Sequence, residues 1–181
     1  MTDIELIEKV KSGNENAFRI LVERYEKKIA KVVIGLLGNT VEAEDVGQEV
    51  FVRFFRKINA FKGESSLGTY LTRIAINLSL NEIKRQKRRQ WLLFSLESPS
   101  VKSQKSTHFN YENTDFQAII LSAIQRLKAD FRVVAVLRFV EEYSAQETAD
   151  LLKLPLGTVQ SRTARARERL RELLKKYVDN E

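Results

Sequence analysis

The sequence predicts an all-α protein built as two small helical domains joined by a flexible linker. Three observations carry that prediction. Only seven glycines and two prolines occur in 181 residues, so few positions interrupt a helix. Apolar residues recur every three or four positions along most of the chain, the period of helices with one buried face. The pattern collapses over residues 96–113, where Ser, Thr, Asn, Lys and Glu dominate, the composition of a linker. The expected domains are therefore residues 1–95 and 114–181.

The first helix is expected over residues 3–11, capped by Thr2 or Asp3, with Ile4, Ile7 and Val10 on one stripe. Ser12-Gly13-Asn14 ends it. A long helix follows to about Leu37, its apolar side marked by Phe18, Leu21, Val22, Tyr25, Ile29, Val32 and Val33. After the Gly38-Asn39-Thr40 turn, a third helix over 41–58 should bury Val46, Val50, Phe51, Phe54, Phe55 and Ile58. Another face of that helix gathers Asp45, Gln48, Glu49, Val52 and Arg56, since residues three and four apart are neighbours. It reads as a docking patch for a basic partner, a metal site or plain solvated surface. No further carboxylate or histidine joins Asp45 and Glu49 at ligand spacing, which weighs against a metal.

A polar loop from Lys62 to Gly68, with two glycines and two serines, precedes a fourth helix over 69–89. Leu71, Ile74, Ala75, Leu78 and Ile83 share its apolar stripe, and Lys84, Arg85, Lys87, Arg88 and Arg89 close it. Trp91 to Leu96 form an apolar patch beyond, which either folds back or meets a partner. Residues 61–91 thus combine a loop, aromatics, exposed amides and a cationic helix end. Those parts suit a single nucleic-acid strand, which needs a charged track, stacking surfaces and hydrogen-bonding groups. The alternative is a solvated helix with a basic tail.

The second domain opens with a helix to about Lys128 carrying Phe116, Ile119, Ile120, Ala123 and Leu127. Phe131, Val134, Ala135, Leu137 and Phe139 serve the next. Ser144 and Glu147 form an S-x-x-E capping box for a short helix over 145–152, with Ala149 and Leu152 inward. A turn over 153–157, holding Pro155 and Gly157, leads to a long helix from Thr158 whose stripe is Val159, Thr163, Ala166, Leu170, Leu173 and Leu174. Two helices across a short turn make a helix-turn-helix, whose second helix enters the major groove. Thr158, Gln160, Ser161, Arg162 and Arg165 would then approach base edges, and Arg167, Arg169 and Arg171 would hold phosphates. The alternative is a surface helix balanced by Glu168 and Glu172.

Charge and composition agree. The net charge is +7 and the pI about 9.6, which favours a polyanionic partner, nucleic acid before an anionic membrane surface. There is no cysteine, hence no disulfide framework or thiolate metal site. No apolar run reaches membrane-spanning length, and MTDIELIEKV has neither the basic start nor the apolar core of a secretion signal. A cytoplasmic protein without membrane insertion is expected. The sole histidine, His108, lies in the linker and reads as solvated.

On these residues the chain resembles a bacterial RNA polymerase sigma factor of the extracytoplasmic-function (ECF) class of the sigma-70 family. SGNENAFRILVERYEKKI resembles the family's G-x-x-x-A-F-x-x-L-V-x-R-Y helix, and AEDVGQEVFVRFFRKI its A-x-D-x-x-Q-E-x-F helix. FKGESSLGTYLTRIAINLSLNEIKRQKRR is similar to the F-x-G-x-S-x-x-x-T-W-L-x-R-I-A-x-N segment. SAQETADLLKLPLGTVQSRTARARERL is similar to the closing S-x-x-E-x-A-x-x-L-x-x-x-x-G-T-V-x-S-R-x-x-R-A-R segment. Together, in order and at the right spacing, they cover nearly the whole chain apart from the linker.

The resemblance implies a sigma-2-type helical bundle and a sigma-4-type helix-turn-helix domain. It implies that Asp45, Gln48, Glu49 and Val52 dock on the β′ clamp helices of core RNA polymerase, the second domain meeting the β flap. Phe61, Lys62, Gly63, Ser65, Ser66 and Leu67 correspond to the loop that captures a base flipped from the non-template strand of the −10 element. Tyr70, Arg73, Asn77, Asn81, Lys84, Arg85 and Arg88 flank that strand. Thr158, Gln160, Ser161, Arg162, Arg165 and Arg167 face the −35 duplex. No catalytic residue, metal or cofactor is implied, and an anti-sigma factor is an expected partner, in a stress or envelope response. The linker would let the domains pack together when idle and separate on polymerase. Tyr70 stands where the family usually has Trp, Gln160 where Lys or Arg is common, and Thr163 and Ala164 are unusual in a recognition helix.

Two rival readings make distinct predictions. An ordinary helix-turn-helix repressor would bind duplex tightly by itself, as a dimer, and would have no use for residues 61–91. A nuclease on Asp45 and Glu49 would need more ligands than the sequence offers, and no Gly-rich phosphate motif is present.

Overall fold

The structure is a computed structural model that describes residues 1–96 and 115–178. Residues 97–113 of the expected linker, His108 among them, lie outside the described residues.

Among the described residues the chain is helical, with no β-strand. The first domain contains α1 (Asp3–Lys11), α2 (Glu15–Leu37), α3 (Val41–Arg56), a 3-10 turn (Ile58–Ala60) and α4 (Leu67–Leu96). The second contains α5 (Asp115–Gln125), α6 (Ala129–Ala135) continued by a π segment (Val136–Val140), α7 (Ala145–Leu152) and α8 (Leu156–Val178).

Local chemistry sets the helix starts. Thr2 and Glu5 close a reciprocal capping box on α1, Asn14 accepts the Ala17 N–H ahead of α2, and Thr40 accepts that of Ala43 ahead of α3. Each removes an orphan donor from a helix start. Asp3 also ties α1 to α2, accepting from Arg24 at 2.6 Å and from the Tyr25 hydroxyl at 2.5 Å. Burial and Asp3 push the Tyr25 phenol up to about 12.

α2 packs on α3 and α4 to form the first core, where Leu21, Ile29, Val32, Leu36, Val50, Phe54 and Leu71 are almost wholly buried. Several expectations are corrected. α3 stops at Arg56, and Phe55 is 51% exposed, its ring 5.0 Å from that of Phe18. Val46, Val50 and Phe54 lead the buried stripe of α3, and Phe55, one position on, falls beyond its edge. α4 starts at Leu67 because Ser66 Oγ accepts the Thr69 N–H at 3.2 Å. It runs on through Trp91 to Leu96 instead of stopping at residue 89, leaving Trp91, Leu92 and Leu93 mostly exposed.

In the second domain the first helix ends at Gln125, three residues early, and Phe139, in the π segment, is 37% exposed. α7 carries the expected Ser144–Glu147 capping box, whose hydrogen bonds hold the Glu147 carboxyl below the usual range. Leu151 is the deeply buried leucine of α7, and Leu152 only partly so. α8 begins at Leu156, two residues before Thr158, because the Pro155 carbonyl accepts the Thr158 and Val159 N–H groups.

The two domains lie against each other. α5, α6 and the π segment contact α2, while α6 and α7 contact α4. Apolar residues of both halves merge into one core, and the Tyr143 hydroxyl reaches Thr72 Oγ1 at 3.4 Å. Glu141 faces Lys28 at 3.8 Å across this seam, and Lys28 lies 5.0 Å from the centre of the Tyr143 ring. Burial raises the Glu141 carboxyl above its ordinary range against the opposing pull of Lys28 and Lys31. A carboxyl raised on folding binds its proton more tightly folded than unfolded, so its contribution to stability falls as pH rises through the raised range. Unfolding measured against pH should show that decline in the wild type, and Glu141→Gln should flatten it.

Candidate nucleic-acid and polymerase interfaces

The aromatic residues flanking the loop are built from α3 outward. Phe54 is 1% exposed. The Phe61 and Tyr70 rings stand on it edge-on at 6.4 and 6.2 Å, and lie 5.0 Å from each other. Both remain half-exposed, so each keeps an edge or part of a face for a base. Between them, Lys62, Gly63, Glu64 and Ser66 are exposed and Ser65 half-exposed. Gly63 holds φ +72, a left-handed turn open to glycine at little cost. Leu67 is a correction: at 2% exposure it anchors the loop to the core rather than standing in it.

The loop feeds directly into a polar stripe on α4. Asn77, Asn81, Lys84, Arg85 and Arg88 are exposed along it. Arg73, the first of the set, is half-buried, and its Nε has no hydrogen-bond partner among the described residues. Arg85 is held by Glu82, with Nε 2.7 Å from Oε2 and a second bond of 3.2 Å. Glu82 is only 9% exposed. That pairing, through its hydrogen bond and charge, makes Arg85 still harder to deprotonate. It also leaves Arg85 less free to meet a phosphate than Lys84 or Arg88. Sequence reasoning missed Glu82; the signal was its position three residues before Arg85 on a helix.

Of the α3 face, Asp45, Gln48 and Val52 are exposed, and Glu49 is half-buried with its Oε1 2.8 Å from Arg53 Nε. A cleft of about 360 Å³ runs between α3 and α4, with Asp45, Glu49 and Arg53 on one wall and Asn81, Glu82 and Arg85 on the other. The expected docking face and the expected strand face therefore share an edge. Across α3, a second groove of about 210 Å³ has Gln48 at its margin and Val22, Ala30, Gly47 and Phe51 along it.

The helix-turn-helix is formed by α7 and α8. Lys153 ends α7 in the left-handed conformation at φ 54, doing the work usually given to glycine. Gln160, Ser161, Ala164, Arg165 and Arg167 are exposed, and Thr158 is half-buried. Arg162 is held back: its guanidinium lies 3.5 Å from Asp130 of α6. Arg167 lies 5.7 Å from the Phe139 ring. Arg169 pairs with Glu172 at 2.5 Å, as the balanced-surface alternative expected for that residue. Thr163 is 8% exposed and its hydroxyl donates to the Val159 carbonyl at 2.7 Å. It is a packing residue, which accounts for an unusual choice in a recognition helix.

A helical bundle with a polar, cationic edge, joined to a helix-turn-helix domain, defines a two-module DNA-binding protein. The Sigma-70 region 2 family matches residues 21–89, and Sigma-70, region 4 matches residues 117–170. The ECF RNA polymerase sigma-E factor of Haemophilus influenzae is 33% identical over 176 residues, covering 93% of each chain. The ECF RNA polymerase sigma factor SigW of Bacillus subtilis is 32% identical over 177 residues, covering 93% of this chain and 95% of that one. Among solved structures, the sigma factor RpoE of Bartonella quintana, in complex with the anti-sigma factor NepR, superposes with a TM-score of 0.70. It is 26% identical, covering 87% of this chain and 96% of that one.

The chain belongs to the ECF sigma factors of the sigma-70 family. Its function is that family's: promoter recognition and strand opening in transcription initiation. Among the described residues no helix is long and apolar enough to cross a membrane.

Proposed function

We propose that the α3 face of Asp45, Gln48, Glu49 and Val52 docks on the β′ clamp helices of core RNA polymerase, with the second domain against the β flap. The loop from Phe61 takes a base flipped out of the −10 non-template strand. Asn77, Asn81, Lys84 and Arg88 guide the strand beyond it. Gln160, Ser161, Arg162, Arg165 and Arg167 meet the −35 duplex. Holding extruded bases favours the melted state, so opening draws on binding energy alone. Bond-making in RNA synthesis belongs to the polymerase, and this chain acts in the cytoplasm without metal or cofactor. An anti-sigma factor restrains it, as the Bartonella relative's complex suggests.

The observation that supports this reading best is that the α4 polar stripe, which the loop leads into, shares one cleft with the α3 face. A strand held on α4 would run beside polymerase docked on α3, which couples docking to opening. Transcription in vitro with core enzyme and a promoter library tests it. Absence of core association together with absence of an open bubble at every promoter would falsify the proposal. Tight duplex binding by the full-length chain alone would favour the repressor reading instead. Asn77→Ala should lower open-complex formation by about tenfold, on the scale of one lost polar contact, while leaving core binding within about twofold. Equal loss of both steps would remove Asn77 from the strand path.

A further inference from the structure

The seam between the domains is built more specifically than casual contact requires. Gly35 lies inside α2, where glycine is unfavourable by about 1 kcal/mol relative to alanine. Its backbone is ordinary helix, so no left-handed turn demands it. The demand comes from the other domain: a Cβ at Gly35 would stand 2.8 Å from Val136 Cγ2 and 3.2 Å from Cγ1. Val136 is fully buried in the π segment, and its branched side chain is stiff.

Around that contact, the second domain caps the C-terminal end of α2. The Gln125 side-chain amide donates to the carbonyls of Ile34 at 3.1 Å and Gly35 at 2.6 Å. Arg132 donates to the Leu36 carbonyl at 2.7 Å, and is itself held by the Gln125 side chain at 3.1 Å and the Leu127 carbonyl at 3.1 Å. Helix C-termini present orphan carbonyls and partial negative charge, and α2 has no basic residue of its own in its last turn. The cation that α2 lacks is supplied from the second domain.

We propose that Gly35, Val136, Gln125 and Arg132 form a lock that holds the domains closed in the free chain, and that its release sets how readily the chain takes polymerase and promoter. The second half rests on the sigma-factor reading above. Elements at −35 and −10 lie about 25 base pairs apart, roughly 85 Å at about 3.4 Å per pair. A chain of this length packed as one body has a radius of gyration of about 16 Å, hence a diameter near 40 Å. The closed molecule cannot grip both elements, so the apparent affinity is reduced by the fraction of molecules that are open.

The test separates the two halves. Donor and acceptor dyes on the full-length chain, one per domain, report separation without polymerase. Gly35→Ala improves the helix but wedges the seam, and should raise the open-to-closed ratio about tenfold. Gly35→Ala combined with Val136→Ala should reclose it. Gln125→Ala should open it by a smaller factor. A free wild-type chain already open, or a Gly35→Ala chain as closed as wild type, overturns the lock. So does a double variant that stays open. Binding of the same variants to core polymerase should then strengthen in the order of their opening, by up to about tenfold. Opening without any gain in affinity overturns the regulatory half. Failure of every variant, wild type included, to bind core would instead reject the polymerase docking proposed above and leave the lock standing.

Discussion

Phe54→Ala is expected to lower folding stability by about 3–5 kcal/mol, the range for truncating a buried phenylalanine. It should also disable −10 recognition in whatever protein remains folded. Phe54 is nearly inaccessible and carries both aromatic residues that flank the loop, Phe61 and Tyr70, on its ring. Removing it leaves a cavity beneath them, and their rings lose the surface that fixes their tilt. Urea unfolding measures the first effect. Binding of a −10 single strand by the reconstituted holoenzyme, at a temperature where the variant is folded, measures the second. Phe55→Ala is the internal control, because the neighbouring ring is half exposed and packs chiefly on Phe18. It should cost about 1 kcal/mol, on the scale of one aromatic pair. Equal losses at both positions would contradict the burial described for α3.

Arg162→Ala is expected to weaken holoenzyme binding at the −35 element by about 10- to 100-fold, the scale of one direct arginine contact. The salt dependence tells what the contact is. If Arg162 holds a phosphate, the loss is larger at low salt and the slope of log affinity against log salt falls by about one. If it reads a base, the loss concentrates on promoters carrying that base. Affinity unchanged at low salt would remove Arg162 from the interface. Asp130 sharpens the test, since it occupies the guanidinium in the free chain. Asp130→Asn keeps the shape, removes the competing charge, and should strengthen binding about two- to fivefold, an effect absent in the Arg162→Ala background.

The helices were legible where their ends are written in local chemistry. Thr2, Asn14, Thr40 and Ser144 accept the N–H groups that orphan helix starts present, and a short-range code of that kind needs no knowledge of the fold. The start of α4 was missed because Ser66 caps one residue before Leu67, and a leucine beside a polar loop reads as loop until its burial is known. Its extension past residue 89 was missed because basic residues in a last turn read as a stop. Adjacent phenylalanines at 54 and 55 cannot be ranked by periodicity alone, since either could lead the stripe. The recognition face was readable residue by residue, yet the partners that restrain it were not. Asp130 meets Arg162 across two helices, and a contact of that range leaves no spacing signature. Gly35 was invisible for the same reason: within α2 it looks like a defect, and only Val136 explains it.

The division of labour along α8 bears on how such a protein changes its targets. Val159, Thr163 and Ala166 face inward, and the Thr163 hydroxyl is satisfied by its own helix. Gln160, Ser161, Ala164 and Arg165 face out with little structural duty. Lineages can therefore re-letter the outward set, one duplicated copy at a time, and acquire new gene repertoires without passing through an unfoldable ancestor.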